Sequence, residues 1–290
     1  MDPVCDIIRN NALDYFVHFG STAFGVIITK NRGYKIFFKP EKHEIEMLQK
    51  LAKFSGVVQL ITIHQCKNIR SLFPDCSPYQ TKLFPLDRYI RSLCQLKEIR
   101  PHGPFWIAEM EKLLFSTKAY MRFYLREYPI IPMIRRFIFL VILTLANIHD
   151  AYPKFQHGDL HIDNVMTRSS QETIFRFRNQ SFHVPLDEQK TIPVILDFGL
   201  SNMSSRTQKN DLFRFIWDLL SYLENKIELR AYFYQVIEIV QDIIPGSMPA
   251  LFYEIDPPDI EDYPDLLAEC MSPIEILTTP TLFPEYRQAL

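Results

Sequence analysis

The strongest pattern in the chain is the apolar run at 137–148, Phe-Ile-Phe-Leu-Val-Ile-Leu-Thr-Leu-Ala-Asn-Ile, which predicts a core helix. It is too short, and too close to charges, to cross a bilayer, which needs about 20 apolar residues. Shorter runs at 15–17, 26–29, 34–39, 105–111 and 192–196 read as strands, and the last ends at Asp197. Between Asn164 and Asp197 the stretches 173–178 and 181–184 alternate with period two, as an inserted hairpin does. The segment 44–51 reads as a helix. Met47, Leu48 and Leu51 lie at helical spacing from Glu44, so one face is apolar and Glu44 borders it.

Two polar motifs lie beside these elements. His157-Gly158-Asp159-Leu160-His161-Ile162-Asp163-Asn164 follows the apolar helix, and Asp197-Phe198-Gly199 ends the 192–196 strand. An Asp followed five positions later by an Asn can aim a carboxylate at an acceptor hydroxyl while the amide reaches a magnesium ion. A second Asp at a strand end supplies another hard oxygen ligand. This order resembles the protein kinase superfamily, whose catalytic loop reads H-R-D-L-x-x-x-N and whose metal-binding turn reads D-F-G. The resemblance runs from about Tyr15 to Leu220. It implies an α+β, two-lobed fold with a small β-rich N-lobe (1–112) and a larger, mainly helical C-lobe (113–290). It also implies ATP and Mg2+, with Asp159 as a catalytic group and Asn164 and Asp197 as metal ligands.

The N-terminal part extends the resemblance. Phe19-Gly20-Ser21-Thr22-Ala23-Phe24-Gly25-Val26-Ile27 is similar to the glycine-rich loop, flanked by strands as a hairpin over phosphates requires. Gly20, Ser21, Thr22, Phe24, Gly25 and Ile27 are therefore expected to line the nucleotide. Lys39, ending the 34–39 strand, is expected to reach the phosphates and to pair with Glu44. Lys35 shares its strand face by alternation and is the competitor. Glu109 and Glu111 fall where the kinase backbone hydrogen-bonds adenine. Phe37 stands two positions before Lys39, where kinases keep a small residue. The Lys39–Glu44 link is also short, with Pro40 at the first helical position.

Other departures bear on activity. Gly158 replaces the Arg that many kinases use to grip a phosphorylated activation loop, Ala-Pro-Glu is missing, and Asp211, which resembles the buried Asp of the next helix, follows Asp197 closely. Activity is thus expected without an activating kinase. His161 stands where serine/threonine kinases carry Lys, as in haspin-like kinases and in antibiotic and other small-molecule kinases; the resemblance places it with Asp159 among the catalytic residues. The 167–192 insert is similar to inserts in kinases of large DNA viruses. The activity implied is that of an atypical serine/threonine protein kinase acting on protein hydroxyls. An aminoglycoside- or choline-type kinase is the alternative. A pseudokinase scaffold is the third, motivated by Thr22, Phe37 and the cramped Lys39–Glu44 link.

Composition narrows the setting. A 290-residue chain that is 47% hydrophobic suits one two-lobed domain with a sizeable core. A net charge of −2 argues against a nucleic-acid surface. Five scattered cysteines without metal-ligand spacing favour a reducing compartment. With Asp2 and Asp6 at the start there is no signal-peptide pattern, so a cytoplasmic or nuclear location is expected, or a virion if the source is viral. The stretch 65–104 reads as an irregular insertion and 245–284 as a proline-rich acidic tail on the larger lobe.

Overall fold

Residues 15–17, 26–28, 32–37, 42–66, 105–124, 130–204, 208–244 and 268–287 are described by the computed structural model. The fold is mixed α+β, and the chain divides into two units, Met1–Gln49 with Val58–Leu113 and Lys50–Val57 with Leu114–Leu290. Gly20, Ser21, Thr22, Phe24, Gly25 and Lys39 lie outside the described residues, as do most of the expected insertion and acidic tail.

The first unit is built on an antiparallel sheet of order β1-β2-β3-β5-β4. Its strands are β1 (Tyr15–Val17), β2 (Val26–Ile28), β3 (Gly33–Phe37), β4 (Leu60–Cys66) and β5 (Phe105–Met110). Helix α1 (Lys42–Leu51) buries Met47, Leu48 and Leu51 on one stripe, as its spacing requires. Cys66 is disulfide-bonded, which departs from the expectation of reduced cysteines, whereas Cys270 is a buried thiol.

The second unit takes in a segment that the sequence places with the first. Lys50–Val57 belongs here because Ile195 N–H donates to the Gly56 carbonyl at 2.8 Å and Arg168 donates to the Ser55 carbonyl at 2.7 Å. A Cβ built on Gly56 would lie 1.7 Å from Thr144 Oγ1, so only glycine permits this close approach. The unit also contains α2 (Thr117–Tyr124), α3 (Ile130–Ala151), β6 (Val165–Ser169), β7 (Ile174–Phe177), β8 (Gln180–His183), β9 (Thr191–Ile195), α4 (Asn210–Asn225), α5 (Arg230–Val240) and α6 (Pro273–Thr278). Strands β7 and β8 form the inserted hairpin; Phe175, Phe177 and Phe182 are buried and alternate residues are exposed.

Helix α3 begins seven residues before the apolar run that announces it. Arg135 and Arg136 interrupt the pattern, but Arg136 is buried with its guanidinium donating to the Pro185 and Thr191 carbonyls, both at 2.7 Å. Those partners return with the insert, so the charge is satisfied by tertiary contacts. Thr191 N–H and Oγ1 donate to Asp187, whose carboxylate also faces Arg136 at 3.5 Å and accepts from Tyr120. With these residues included, α3 has the length and composition to cross a bilayer, yet most of its side chains are buried within this unit.

At the end of α3, His149 is fully buried and neither ring nitrogen has a hydrogen-bond partner among the described residues. Burial pushes its pKa down to about 4. The folded chain therefore keeps a neutral ring where the unfolded chain takes up a proton near pH 6.5. This contribution to stability is complete above pH 6.5 and is lost as pH falls toward 4, amounting to about 3 kcal/mol. His149→Leu is expected to flatten the fall of the urea midpoint between pH 7 and pH 5. An unchanged pH dependence in that variant would reject the burial argument.

Candidate active site

The loop between α3 and β6 is held from below by one face of α4. Asp211, Arg214 and Asp218 lie at i, i+3 and i+7 on that helix, and each reaches a different part of the loop. Asp211 accepts the His157 N–H at 2.7 Å and the Gly158 N–H at 3.1 Å, and Asp218 accepts the Ile162 N–H at 2.8 Å. Gly158 has φ of +80°, and a Cβ there would lie 2.5 Å from the Leu200 carbonyl oxygen. An arginine at this position is therefore excluded by both backbone and space.

His157 is fully buried, and desolvation pushes its pKa down, so the ring is neutral. Its Nε2 lies 2.9 Å from the Leu196 carbonyl and must carry the proton, which leaves Nδ1 to accept the Asp159 N–H at 3.3 Å. Leu196 N–H in turn donates to the Asn164 carbonyl at 3.0 Å. The residue before Asp197 is thus tied on both sides to the loop that carries Asp159. Asp197 takes a left-handed φ of +64°, a conformation uncommon for any residue but glycine, and the following Phe198 is buried against His157 at 5.0 Å between ring centroids.

Asp159 and Asn164 face each other. Asn164 Nδ2 donates to the Asp159 carbonyl at 2.8 Å, which fixes the orientation of the amide. Its Oδ1 is then buried without a hydrogen-bond partner among the described residues. A buried carbonyl-type oxygen left in this way is what a hard cation can use. Asn164 Oδ1 would suit the magnesium that the resemblance implies, with Asp197 as the other expected ligand. Among the described residues no three His, Cys, Asp or Glu side chains gather into a metal cage.

The Asp159 carboxylate meets Arg214 Nη2 at 2.7 Å through Oδ1 and faces His161 Nε2 at 3.5 Å through Oδ2. Burial alone would raise its pKa. The hydrogen bond and charge of His161, joined by the charge of Arg214, outweigh this and hold the carboxyl below its usual range. The converse applies to His161: burial works against charging the ring, but Asp159, then Asp218 and Asp163, raise its pKa. Asp163 itself pairs with Lys118 of α2 at 2.5 Å. Sequence reasoning named Asp159, His161, Asn164 and Asp197 but missed Arg214. The charged stripe Asp211, Arg214, Asp218 on an otherwise apolar helix is the signal that could have revealed it.

In the first unit the described lysine partner of Glu44 is the competitor. Glu44 pairs with Lys35 at 2.5 Å, and both side chains are buried, at 3% and 2% exposure, whereas Lys39 lies outside the described residues. Strand β3 ends at Phe37, so Lys35 is its inward-facing lysine. The change moves the position two before the lysine from Phe37 to Gly33, whose Cβ would lie 3.1 Å from the Glu111 carbonyl oxygen. Lys35→Met is expected to slow phosphoryl transfer by about 100-fold and Lys39→Met by less than about 3-fold, measured well below either melting temperature. Equal losses would reject this assignment.

The adenine-facing backbone expected at Glu109 and Glu111 is also corrected. Glu109 lies inside β5, opposite Tyr34 and Thr62, and its carboxylate binds Arg32 and His64, each at 3.0 Å. Glu111 N–H donates to the Gln59 carbonyl at 2.9 Å, and its own carbonyl accepts from Gly33 at 3.2 Å. Sheet pairing therefore occupies the groups that a base would need. Ile27 contributes backbone to β2, opposite Tyr34.

No family model matches the sequence. The chain is 25% identical over 183 residues to a protein of Acanthamoeba polyphaga mimivirus named "Putative serine/threonine-protein kinase". The match covers 52% of this chain and 46% of that protein, so the chain spans about half the length of the curated relative it matches. A solved structure titled "WaaP in complex with acyl carrier protein" overlaps 92% of this chain and 93% of its own, at 12% identity and a TM-score of 0.38. A superposition this loose carries no structural argument.

Proposed function

We propose that the chain is a divergent member of the protein-kinase-like superfamily and an ATP-dependent phosphotransferase acting as an atypical serine/threonine protein kinase. The observation that carries this reading is Asn164, whose Nδ2 braces the Asp159 carbonyl while its buried Oδ1 is left for a cation. Asp159 receives and orients the acceptor hydroxyl. Asn164 and Asp197 hold magnesium, which supplies charge neutralisation at the phosphates. Lys35, oriented by Glu44, binds the phosphates. Catalysis is then mainly positioning and electrostatic stabilisation.

Two further observations support a working enzyme that needs no activating kinase. The backbone of Asn202 pairs with that of Gln156 through two hydrogen bonds, at 2.8 and 2.9 Å, so the chain after Asp197 is already tied to the approach to the catalytic loop. The buried Lys35–Glu44 pair also supports this reading over a pseudokinase, because it depends neither on a small residue at position 37 nor on the short Lys39–Glu44 link.

The test is labelled ATP with magnesium and unphosphorylated protein, offered mixed protein acceptors and a small-molecule panel, beside the inactive Asp197→Ala control. Label in protein that vanishes in the control supports the proposal. Label in a small molecule would replace it with the aminoglycoside- or choline-type alternative, and bound ATP without any transfer would leave a pseudokinase.

A further inference from the structure

We propose that Arg214 is a positioning residue of the transfer reaction: it holds one oxygen of the Asp159 carboxylate so that the other is presented to the acceptor hydroxyl. The inference rests on the phosphotransferase reading and adds a part to it that no motif supplies. The geometry comes from two contacts made by one guanidinium. Arg214 Nη2 lies 2.7 Å from Asp159 Oδ1, and Nη1 donates to the Gly158 carbonyl at 3.2 Å. A planar fork that spans a side chain and the preceding backbone carbonyl fixes the carboxylate's direction relative to its own loop, which a point charge cannot do.

The loop's own side chains hold this carboxylate only through longer contacts. Position 158 can carry no side chain, because of its positive φ and the Leu200 carbonyl. The Asp159 N–H is held by His157 Nδ1, which sets the backbone but leaves the carboxylate free to turn. On the Oδ2 side, Asn164 Nδ2 and His161 Nε2 both stand at 3.5 Å, longer and weaker contacts than the one from Arg214. The short, charge-assisted contact is the one from Arg214. An ionised carboxylate has about four acceptor positions, so Oδ2 retains capacity for a substrate hydroxyl while Oδ1 is occupied.

The origin of Arg214 adds to the case. Asp211 and Asp218, one turn before and one turn after it on α4, bind backbone N–H groups of the same loop. The helix thus fixes three successive stretches of the loop, and only its middle contact reaches a side chain that handles substrate. Arg214 is half exposed, at 52% for its side chain, so it contributes little buried area and its removal should spare the fold.

The experiment compares Arg214→Met and Arg214→Lys with the wild type in single-turnover transfer, nucleotide titration and thermal melting. Expected for Arg214→Met is a loss of about 30- to 100-fold in kcat, with KM for ATP, nucleotide affinity and melting temperature unchanged. Arg214→Lys, able to reach Asp159 but not Gly158 as well, should recover part of that loss and remain about 3- to 10-fold below wild type. In an Asp159→Asn background, Arg214→Met should have almost no further effect, because the two act as one unit. Wild-type kcat in either single variant, or losses that multiply in the double variant, would overturn the inference. A parallel fall in nucleotide affinity and melting temperature would assign Arg214 a structural role instead. A wild-type protein that transfers phosphate to no acceptor would refute the phosphotransferase reading itself, an outcome distinct from the others.

Discussion

Asp159→Asn is expected to bind magnesium and ATP as the wild type does but to transfer phosphate about 1,000-fold more slowly, whereas Asp197→Ala is expected to lose both functions. The two carboxylates differ in what surrounds them. Asp159 is held by Arg214 and His161 below its usual pKa range, so at neutral pH it is an ionised acceptor that aligns a hydroxyl. An amide in its place keeps the shape but loses the charge. Asp197 stands in a left-handed turn, with the preceding residue tied to both Asn164 and His157. Its removal leaves the phosphates without a counter-ligand beyond Asn164. Nucleotide titration with and without magnesium, beside single-turnover transfer, separates the cases. Normal transfer by Asp159→Asn would remove it from the reaction, and full magnesium-dependent binding by Asp197→Ala would remove it from the metal site.

Gly158→Ala is expected to lower stability by about 2–4 kcal/mol and to abolish most activity. Two independent costs add at this residue. The backbone has φ of +80°, which disfavours any L side chain, and the new methyl would lie 2.5 Å from the Leu200 carbonyl oxygen. Relief requires the loop to move away from the chain after Asp197, and both N–H bonds to Asp211 restrain that loop. Urea unfolding at neutral pH measures the loss. Gly33→Ala is the comparison: its φ is not in the left-handed region and its closest approach is 3.1 Å, so a loss near 1 kcal/mol is expected there. Equal midpoints for Gly158→Ala and wild type would show that the loop relaxes freely.

Several elements were legible because their signals are local. The hairpin at β7 and β8 follows from strict alternation, since side chains on a strand point to opposite faces whatever the strand packs against. The apolar stripe of α1 and the core of α3 follow from helical spacing. Asp159 and Asn164 were named from their spacing in the loop, and the fold brings their side chains face to face.

What tertiary structure decided is which partner each group meets. Alternation placed Lys35 and Lys39 on one face and could not choose between them. Among the described residues, the fold brings the buried Lys35 to Glu44. Glu109 and Glu111 have the spacing of exposed backbone, but neighbouring strands claim their hydrogen bonds. Arg136 is satisfied by carbonyls that the insert returns to it, and Lys50–Val57 joined the second unit through contacts with β9 and α3 that no local pattern encodes. Arg214 lies 55 residues from the carboxylate it holds. The sequence by itself determined periodicity, and with it the faces of helices and strands and the motifs between them. Only the folded chain determined the pairings, because burial makes an unpaired charge or N–H costly and each such group takes whichever partner the fold brings within reach.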